Sequence, residues 1–207
     1  MQRFHLVLAS VLLFSTYVFG QSNYYWVGGS GNWSNYSSHW ATSSGGNIFH
    51  TTTPSSNDNV IFDSNSFSAN SQTVTLNADN ESVGNMTWLG VTNTPTFNMS
   101  SKQLMVHGSI TYDPIMTINS PGTLTFTSSN TSFLISGGHR IGNVYIDKNG
   151  GVFNQLDNFS SNGYTFEVRA GSTFNSNDYD LYFNTIRFKG SPTGSTTTTI
   201  NLSLIHI

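Results

Sequence analysis

Aromatic side chains are concentrated in one short segment near the start of the chain. The segment is rich in glycine and serine, and its aromatic residues are Tyr24, Tyr25, Trp26, Trp33, Tyr36 and Trp40. Exposed aromatic rings stack on sugar rings, and neighbouring asparagine and serine side chains can bond hydroxyl groups. Trp26, Trp33, Tyr36 and Trp40 are therefore the candidate residues of a carbohydrate-binding site. The interpretation that we favour is a structural cap whose rings are buried, each covering about 150–250 Å².

A second set of residues has the types that polysaccharide cleavage needs. Lyases and hydrolases on β-helices use a carboxylate pair, or a basic residue beside an acidic cluster that holds a cation. Asp178 and Asp180 would lie on one face of a strand, because side chains alternate. The other charged candidates are Asp147, Lys148, Arg187 and Lys189. The alternative is solvated turn charge; we assign no catalytic residue, and we expect a protein that is not an enzyme.

The sequence does not indicate a metal or cofactor site. The chain has no cysteine, so a thiolate site is excluded. Oxygen atoms between Asn57 and Asp63 could bind calcium, but the glycine-rich calcium-binding repeat is missing. No ligand-like spacing joins the histidines that follow the first 20 residues and precede the last six: His39, His50, His107 and His139.

Short strands separated by turns must position all of these residues. Apolar residues alternate in short runs, and no helical periodicity follows the first 20 residues. Turn signals such as Pro121-Gly122 and Asn162-Gly163 separate the runs. The predicted strands are Asn59–Phe62, Thr73–Leu76, Asn85–Leu89, Gln103–Val106, Met116–Ile118, Thr123–Phe126, Ser132–Ile135, Asn143–Ile146, Tyr164–Val168, Asp180–Phe183 and Thr185–Phe188.

Weak internal similarity favours a stacked architecture. Ser82–Met86 is similar to Arg140–Val144, and Thr96–Asn98 is similar to Thr173–Asn175. Stacked turns would align inward apolar residues in columns and would align asparagine and serine in ladders at the corners. We therefore predict an all-β, right-handed parallel β-solenoid with an N-terminal aromatic cap. An antiparallel β-sandwich, which also has short strands and frequent turns, is the alternative.

The composition narrows the class of protein. Charged residues make up 8% of the 207 residues, and the net charge is −3. No basic patch in the sequence supports binding to nucleic acid. The chain is polar, but its 14% aromatic content argues against a disordered protein. The composition is typical of extracellular all-β proteins.

The aromatic segment also carries a resemblance to a protein family. The residues YWVGGSGNWS are followed by HW at His39 and Trp40. This pattern resembles the start of the extracellular β-rich region in large secreted and surface-anchored, adhesin-like proteins of Bacteroidetes-type bacteria, many of them cargo of the type IX secretion system. The resemblance is close in this motif and only general elsewhere. It favours the solenoid over the sandwich.

The resemblance implies a location and a class of function. We expect a secreted or outer cell-surface protein with a structural or adhesive role, forming the N-terminal part of a larger protein. Its expected partners are extracellular polysaccharides or surface proteins. A carbohydrate-active lyase or hydrolase on the same scaffold and a non-catalytic carbohydrate-binding module are the alternatives.

The chain divides into four predicted segments. Residues 1–20 combine Arg3, an apolar run and a small-residue cleavage site, which predicts a signal peptide. Residues 21–56 form the aromatic cap and a loop, and residues 57–201 form truncated solenoid repeats. Residues 202–207 resemble an in-frame translation of a sequencing adapter, which predicts a non-native tail. We expect no membrane span once the signal peptide is removed.

Overall fold

A computed structural model of the protein describes residues 20–190 and 198–201. The predicted tail and the predicted signal peptide, apart from Gly20, lie outside these residues. The described residues form β1 (Asn23–Trp26), β2 (Gly31–Asn32), α1 (Tyr36–His39), β3 (Trp40–Ala41), β4 (Asn59–Phe62), β5 (Thr73–Thr75), β6 (Glu81–Val83), β7 (Met86–Trp88), β8 (Thr96–Asn98), β9 (Gln103–Val106), β10 (Ile110–Thr111), β11 (Thr117–Asn119), β12 (Thr123–Phe126), β13 (Ser132–Ile135), β14 (Asn143–Ile146), β15 (Val152–Gln155), β16 (Phe159–Val168), β17 (Thr173–Asn175), β18 (Leu181–Phe188) and β19 (Thr199–Asn201).

The strands stack into a β-solenoid of about six turns. We call its three sheets face 1, with the order β19-β17-β15-β13-β10-β7-β4-β1-β3, face 2, with the order β11-β8-β5-β2, and face 3, with the order β18-β16-β14-β12-β9-β6. Neighbouring strands in these sheets are parallel, except for the antiparallel pair of β1 and β3. The predicted all-β parallel solenoid is confirmed, and the antiparallel sandwich is wrong. The right-handed coil stays a prediction.

Alternation along each strand builds the core. In β4, Val60 and Phe62 are buried while Asn59 and Ile61 face outward. Because the strands pair in register, buried residues of successive turns lie over one another in columns. The column on face 3 runs through Val83, Val106, Phe126, Ile146 and Val168. Each turn therefore buries apolar side chains against its two neighbours, as expected for a solenoid.

Asparagine side chains form ladders on the outside of face 1. The Asn59 amide donates a hydrogen bond to Asn23 at 2.8 Å, and Asn85 donates to Asn59 at 2.9 Å. Further along the axis, Asn175 donates to Asn154 at 2.8 Å. Identical amides in adjacent parallel strands can satisfy one another in this way. Asparagines therefore stack as expected, but on the strands of face 1 rather than at the corners where the sequence predicted them. The ladders tie consecutive turns together outside the core.

The turns vary in length, so the internal similarities in the sequence do not mark stacked positions. Asn59 and Asn85 are 26 residues apart, whereas Asn154 and Asn175 are 21 apart. Face 2 ends at β11, and later turns pass from face 1 to face 3 without a strand of that sheet. Thr96–Asn98 is β8 on face 2, but the similar Thr173–Asn175 is β17 on face 1.

Strand predictions failed where glycine or asparagine interrupted a run. The predicted turn at Asn162-Gly163 is an irregularity inside the ten-residue strand β16, where pairing with β18 shifts between Ser161 and Thr165. Gly163 has φ of +91°, so a glycine allows this path without ending the strand. The two strands predicted on either side of Asn184 are likewise one strand, β18.

Candidate functional site

The aromatic segment closes the first end of the solenoid. β1 joins face 1 in parallel with β4, and β3 turns back against β1 in an antiparallel pair. Trp26, Trp33 and Trp40 are 0% exposed. Trp40 meets Trp26 and Trp33 edge-on, with ring centroids 4.8 Å apart in both pairs. The segment is therefore built as a buried aromatic cap.

This burial confirms the predicted aromatic cap and argues against the candidate sugar site. None of the three indoles offers a ring face to a sugar, so stacking by Trp26, Trp33 and Trp40 is wrong for this structure. Tyr36 differs, because it lies in α1 and is 38% exposed. Its role in binding stays a prediction, carried by one ring rather than by a cluster.

Polar contacts explain how the indoles are held. The indole N–H of Trp26 donates to the carbonyl of Gly29 at 2.7 Å, and that of Trp40 donates to the carbonyl of Trp33 at 2.8 Å. His39 stacks on Trp26 with ring centroids 4.5 Å apart. The buried indole N–H of Trp33 has no hydrogen-bond partner. The indole ring of Trp33 therefore contributes to the cap through packing alone.

The predicted carboxylate pair does not assemble. Asp178 lies in a turn with φ of +66° and is exposed, and Asp180 lies just before β18. They do not share a strand face, contrary to the expectation. Arg187 lies near the far end of β18 and Lys189 lies just beyond it, and this strand spans up to about 26 Å. Neighbours in sequence are thus held apart because the strand between them is extended.

A charged cluster forms instead on face 3, where β14, β16 and β18 end. The Glu167 carboxylate, only 3% exposed, accepts from Arg169 Nε at 2.9 Å and pairs with Lys189 Nζ at 3.0 Å. Arg169 also pairs with Asp147 at 2.8 Å. Burial alone would raise the pKa of Glu167, but the bonds from Arg169 and Lys189 outweigh it and lower the pKa. These charges neutralise one another.

Lys148 is buried without a carboxylate. Its side chain is 0% exposed, and its ammonium donates to the carbonyl of Thr127 at 3.1 Å and to Ser128 Oγ at 3.3 Å. Among the described residues, it forms no ion pair. Burial lowers the pKa of Lys148 to about 8. The sequence suggested a solvated charge, whereas the corner between faces 3 and 1 encloses it.

A polar groove of about 590 Å³ runs along this same corner. Burial, and then the charge of Lys148, lower the pKa of His107. Besides His107, the groove is lined by residues with small or amide side chains: Gln21, Ser56, Asn57, Gly84, Asn85, Gly108, Ser128, Asn130 and Thr131. Such a groove can bond hydroxyl groups through amides and serine, and sequence analysis missed it because its residues come from different turns.

The described residues contain neither a metal-binding cluster nor a membrane-spanning helix. In that part of the chain, no three residues among His, Cys, Asp and Glu come together in a group that could hold a metal ion. No helix there has the length and apolar character needed to cross a membrane.

No family model, curated protein or solved structure matches this chain.

Proposed function

We propose that this protein is a structural and adhesive β-solenoid of the bacterial cell surface or the extracellular medium. In this role it is a stiff rod whose outer faces contact extracellular polysaccharides or surface proteins. The proposal keeps the location implied by the aromatic motif and its resemblance to adhesin-like proteins.

One observation carries the proposal: the described residues form an unbroken stack of parallel turns that begins at a buried cap. Each turn packs on its neighbours through the core columns and is tied to them by the asparagine ladders. A solenoid of this kind is stiff along its axis and repeats its outer surface at each turn. Outward side chains are mostly uncharged and polar, which suits contact with hydroxyl-rich material.

A binding panel tests the proposal. The full chain would be immobilised and exposed to neutral and acidic polysaccharides and to extracellular matrix proteins, with far-UV circular dichroism confirming that it is folded. We expect binding to at least one polymer with no change in polymer length. A folded protein that binds nothing on the panel would contradict adhesion.

The enzyme alternative has its own assay. Release of reducing or unsaturated sugar ends from the same polysaccharides would replace the adhesive role with catalysis. If that activity were lost in Asp178→Ala or Asp180→Ala, these carboxylates would be catalytic, although the structure separates them from Arg187 and Lys189.

A further inference from the structure

We propose that the outer side of face 3, across the turns of β14, β16 and β18, binds an acidic polysaccharide. The inference rests on the proposed function, since it names the class of ligand and the surface that takes it. We call this surface the basic strip. It consists of Arg140, Tyr145, Tyr164, Arg169, Tyr182 and Arg187.

The distribution of positive charge singles out the basic strip. The described residues contain six lysines and arginines, and only Lys102 lies before residue 140. Lys148 is buried, and Lys189 is paired with Glu167. Arg140 and Arg187 are exposed and, among the described residues, neither forms an ion pair. A protein with a net charge of −3 thus keeps two unpaired arginines on one surface.

Tyrosine rings support two of the arginines. The guanidinium of Arg140 lies 4.9 Å from the ring centroid of Tyr164, and that of Arg169 lies 4.9 Å from the ring centroid of Tyr145. Stacking holds a guanidinium in one plane while its N–H groups can bond at the edge. A carboxylate or sulfate accepts two such bonds side by side, which a lysine cannot reproduce. Arg169 is already bonded to Glu167 and Asp147, whereas Arg140 donates one bond to the carbonyl of Asn162 and has no carboxylate partner among the described residues. Arg140 is therefore the stacked arginine that suits a planar or tetrahedral anion.

The register places these groups at a spacing that suits an extended chain. Arg140 bridges to Ser160, which pairs with Tyr182, so Arg140 and Tyr182 lie two strands apart, or about 10 Å. Tyr145 follows Arg140 by five positions, so the two residues lie at most about 16 Å apart at the rise of an extended strand. A bound polymer several sugars long can meet more than one of these groups at once.

An exposed ring and polar side chains complete the surface. Tyr182 is 46% exposed and has no aromatic or arginine partner among the described residues. Its ring is free to stack on a sugar, which is the role that the sequence assigned to the buried tryptophans. Asn143, Thr165 and Thr185 stack in the intervening column, where amide and hydroxyl groups can bond sugar hydroxyls.

Charge density favours a polysaccharide over a nucleic acid. A single strand of nucleic acid carries a phosphate at every nucleotide and is bound by grooves with many lysines and arginines. The basic strip has only two unpaired arginines, and Asp147 and Glu167 lie beside it. Widely spaced carboxylates or sulfates on a sugar polymer match this sparse charge better.

The test compares an acidic and a neutral polysaccharide. Binding of the full chain to alginate and to dextran would be measured by biolayer interferometry at low and high salt. We expect alginate to bind at least about tenfold more tightly than dextran, with an affinity that falls as salt rises. Arg140→Ala and Arg187→Ala should each weaken alginate binding roughly tenfold, because each removes a charge-assisted hydrogen bond. Tyr182→Ala should weaken binding to a similar degree.

Lys102→Ala is the matched control. It removes one positive charge from another turn, where Lys102 pairs with Asp79, and should leave alginate binding unchanged. An equal loss in this variant would show that net charge, rather than the basic strip, attracts the polymer and would overturn the inference. Circular dichroism of each variant shows whether the fold is intact.

Other outcomes separate this inference from the proposed function. If the protein binds dextran or a matrix protein but not alginate, adhesion stands and the basic strip is refuted. If the folded protein binds no polymer or matrix protein, both proposals fail. If an oligothymidylate of similar length binds more tightly than alginate, the basic strip is a nucleic-acid surface and our assignment is wrong.

Discussion

The aromatic cap allows a sharp comparison between two tryptophans. Trp33 and Trp40 are both 0% exposed and meet edge-on at 4.8 Å. Replacing either by phenylalanine removes the same atoms from the same cluster, so the loss of packing should be alike. The variants differ in one hydrogen bond, because only Trp40 has a partner for its indole N–H.

The magnitude follows from that difference. Trp40→Phe leaves the buried carbonyl of Trp33 without its donor, which costs about 1–3 kcal/mol of unfolding free energy. Trp33→Phe removes a buried donor that has no partner, so it leaves no group newly unsatisfied. We expect Trp40→Phe to be less stable than Trp33→Phe by about 1–3 kcal/mol. Trp33→Ala, which empties most of the site, should cost about 3–5 kcal/mol.

Urea unfolding followed by far-UV circular dichroism measures the difference without relying on tryptophan fluorescence. Hydrogen exchange at the amides of β1 and β3 would show whether the loss begins at the cap, since the end of a solenoid can open before its centre. Equal stabilities of the two phenylalanine variants, or a larger loss in Trp33→Phe, would refute the account. If Trp33→Ala kept full stability but lost polysaccharide binding, Trp33 would be a ligand residue after all.

Three further predictions concern the body of the solenoid. Folding lowers the pKa of Lys148 from 10.5 to about 8, so the unfolded state holds more protons between these pH values. The free energy of unfolding should therefore rise with pH across this range by up to about 3 kcal/mol. Urea unfolding should show a weaker dependence of this free energy on pH in Lys148→Met. Because folding lowers the pKa of Glu167, the ionised carboxylate stabilises the fold above pH 4.5, and this stabilisation is lost as the pH falls through the pKa of the folded state. Acid unfolding of Glu167→Gln should therefore show a weaker pH dependence than that of the unchanged protein. A methyl group at Gly142 would overlap the carbonyl of Gly122, whereas one at Gly190 would meet nothing; thermal melting should therefore show a large loss in Gly142→Ala and almost none in Gly190→Ala, and equal melting would contradict the stacking.

Local alternation was enough to find many strands and the fold class. Asn59–Phe62 and Gln103–Val106 coincide with β4 and β9, because a period of two depends only on neighbouring residues. Which strands stack on which could not be read in this way. Stacked asparagines are 26 residues apart in one turn and 21 in another, so no constant period links equivalent positions. The similar segments at Thr96 and Thr173 accordingly lie on different sheets.

The candidate site was harder to predict, because exposure is decided by the whole fold. The aromatic cluster was evident in the sequence, but composition cannot tell a stacking platform from a cap. Trp40 is buried because β3 folds back against β1. The sequence did not predict Tyr182 as a binding residue, but its outward position in β18 leaves its ring exposed.

The sequence by itself determined the strands, the polar turns and the all-β class, since these follow from patterns only a few residues long. The tertiary structure decided which side chains meet. It separated Asp180 from Lys189 at opposite ends of one strand, enclosed Lys148 at a corner, and placed Arg140 two strands from Tyr182. These relations depend on pairing between turns more than 20 residues apart, which no local pattern encodes.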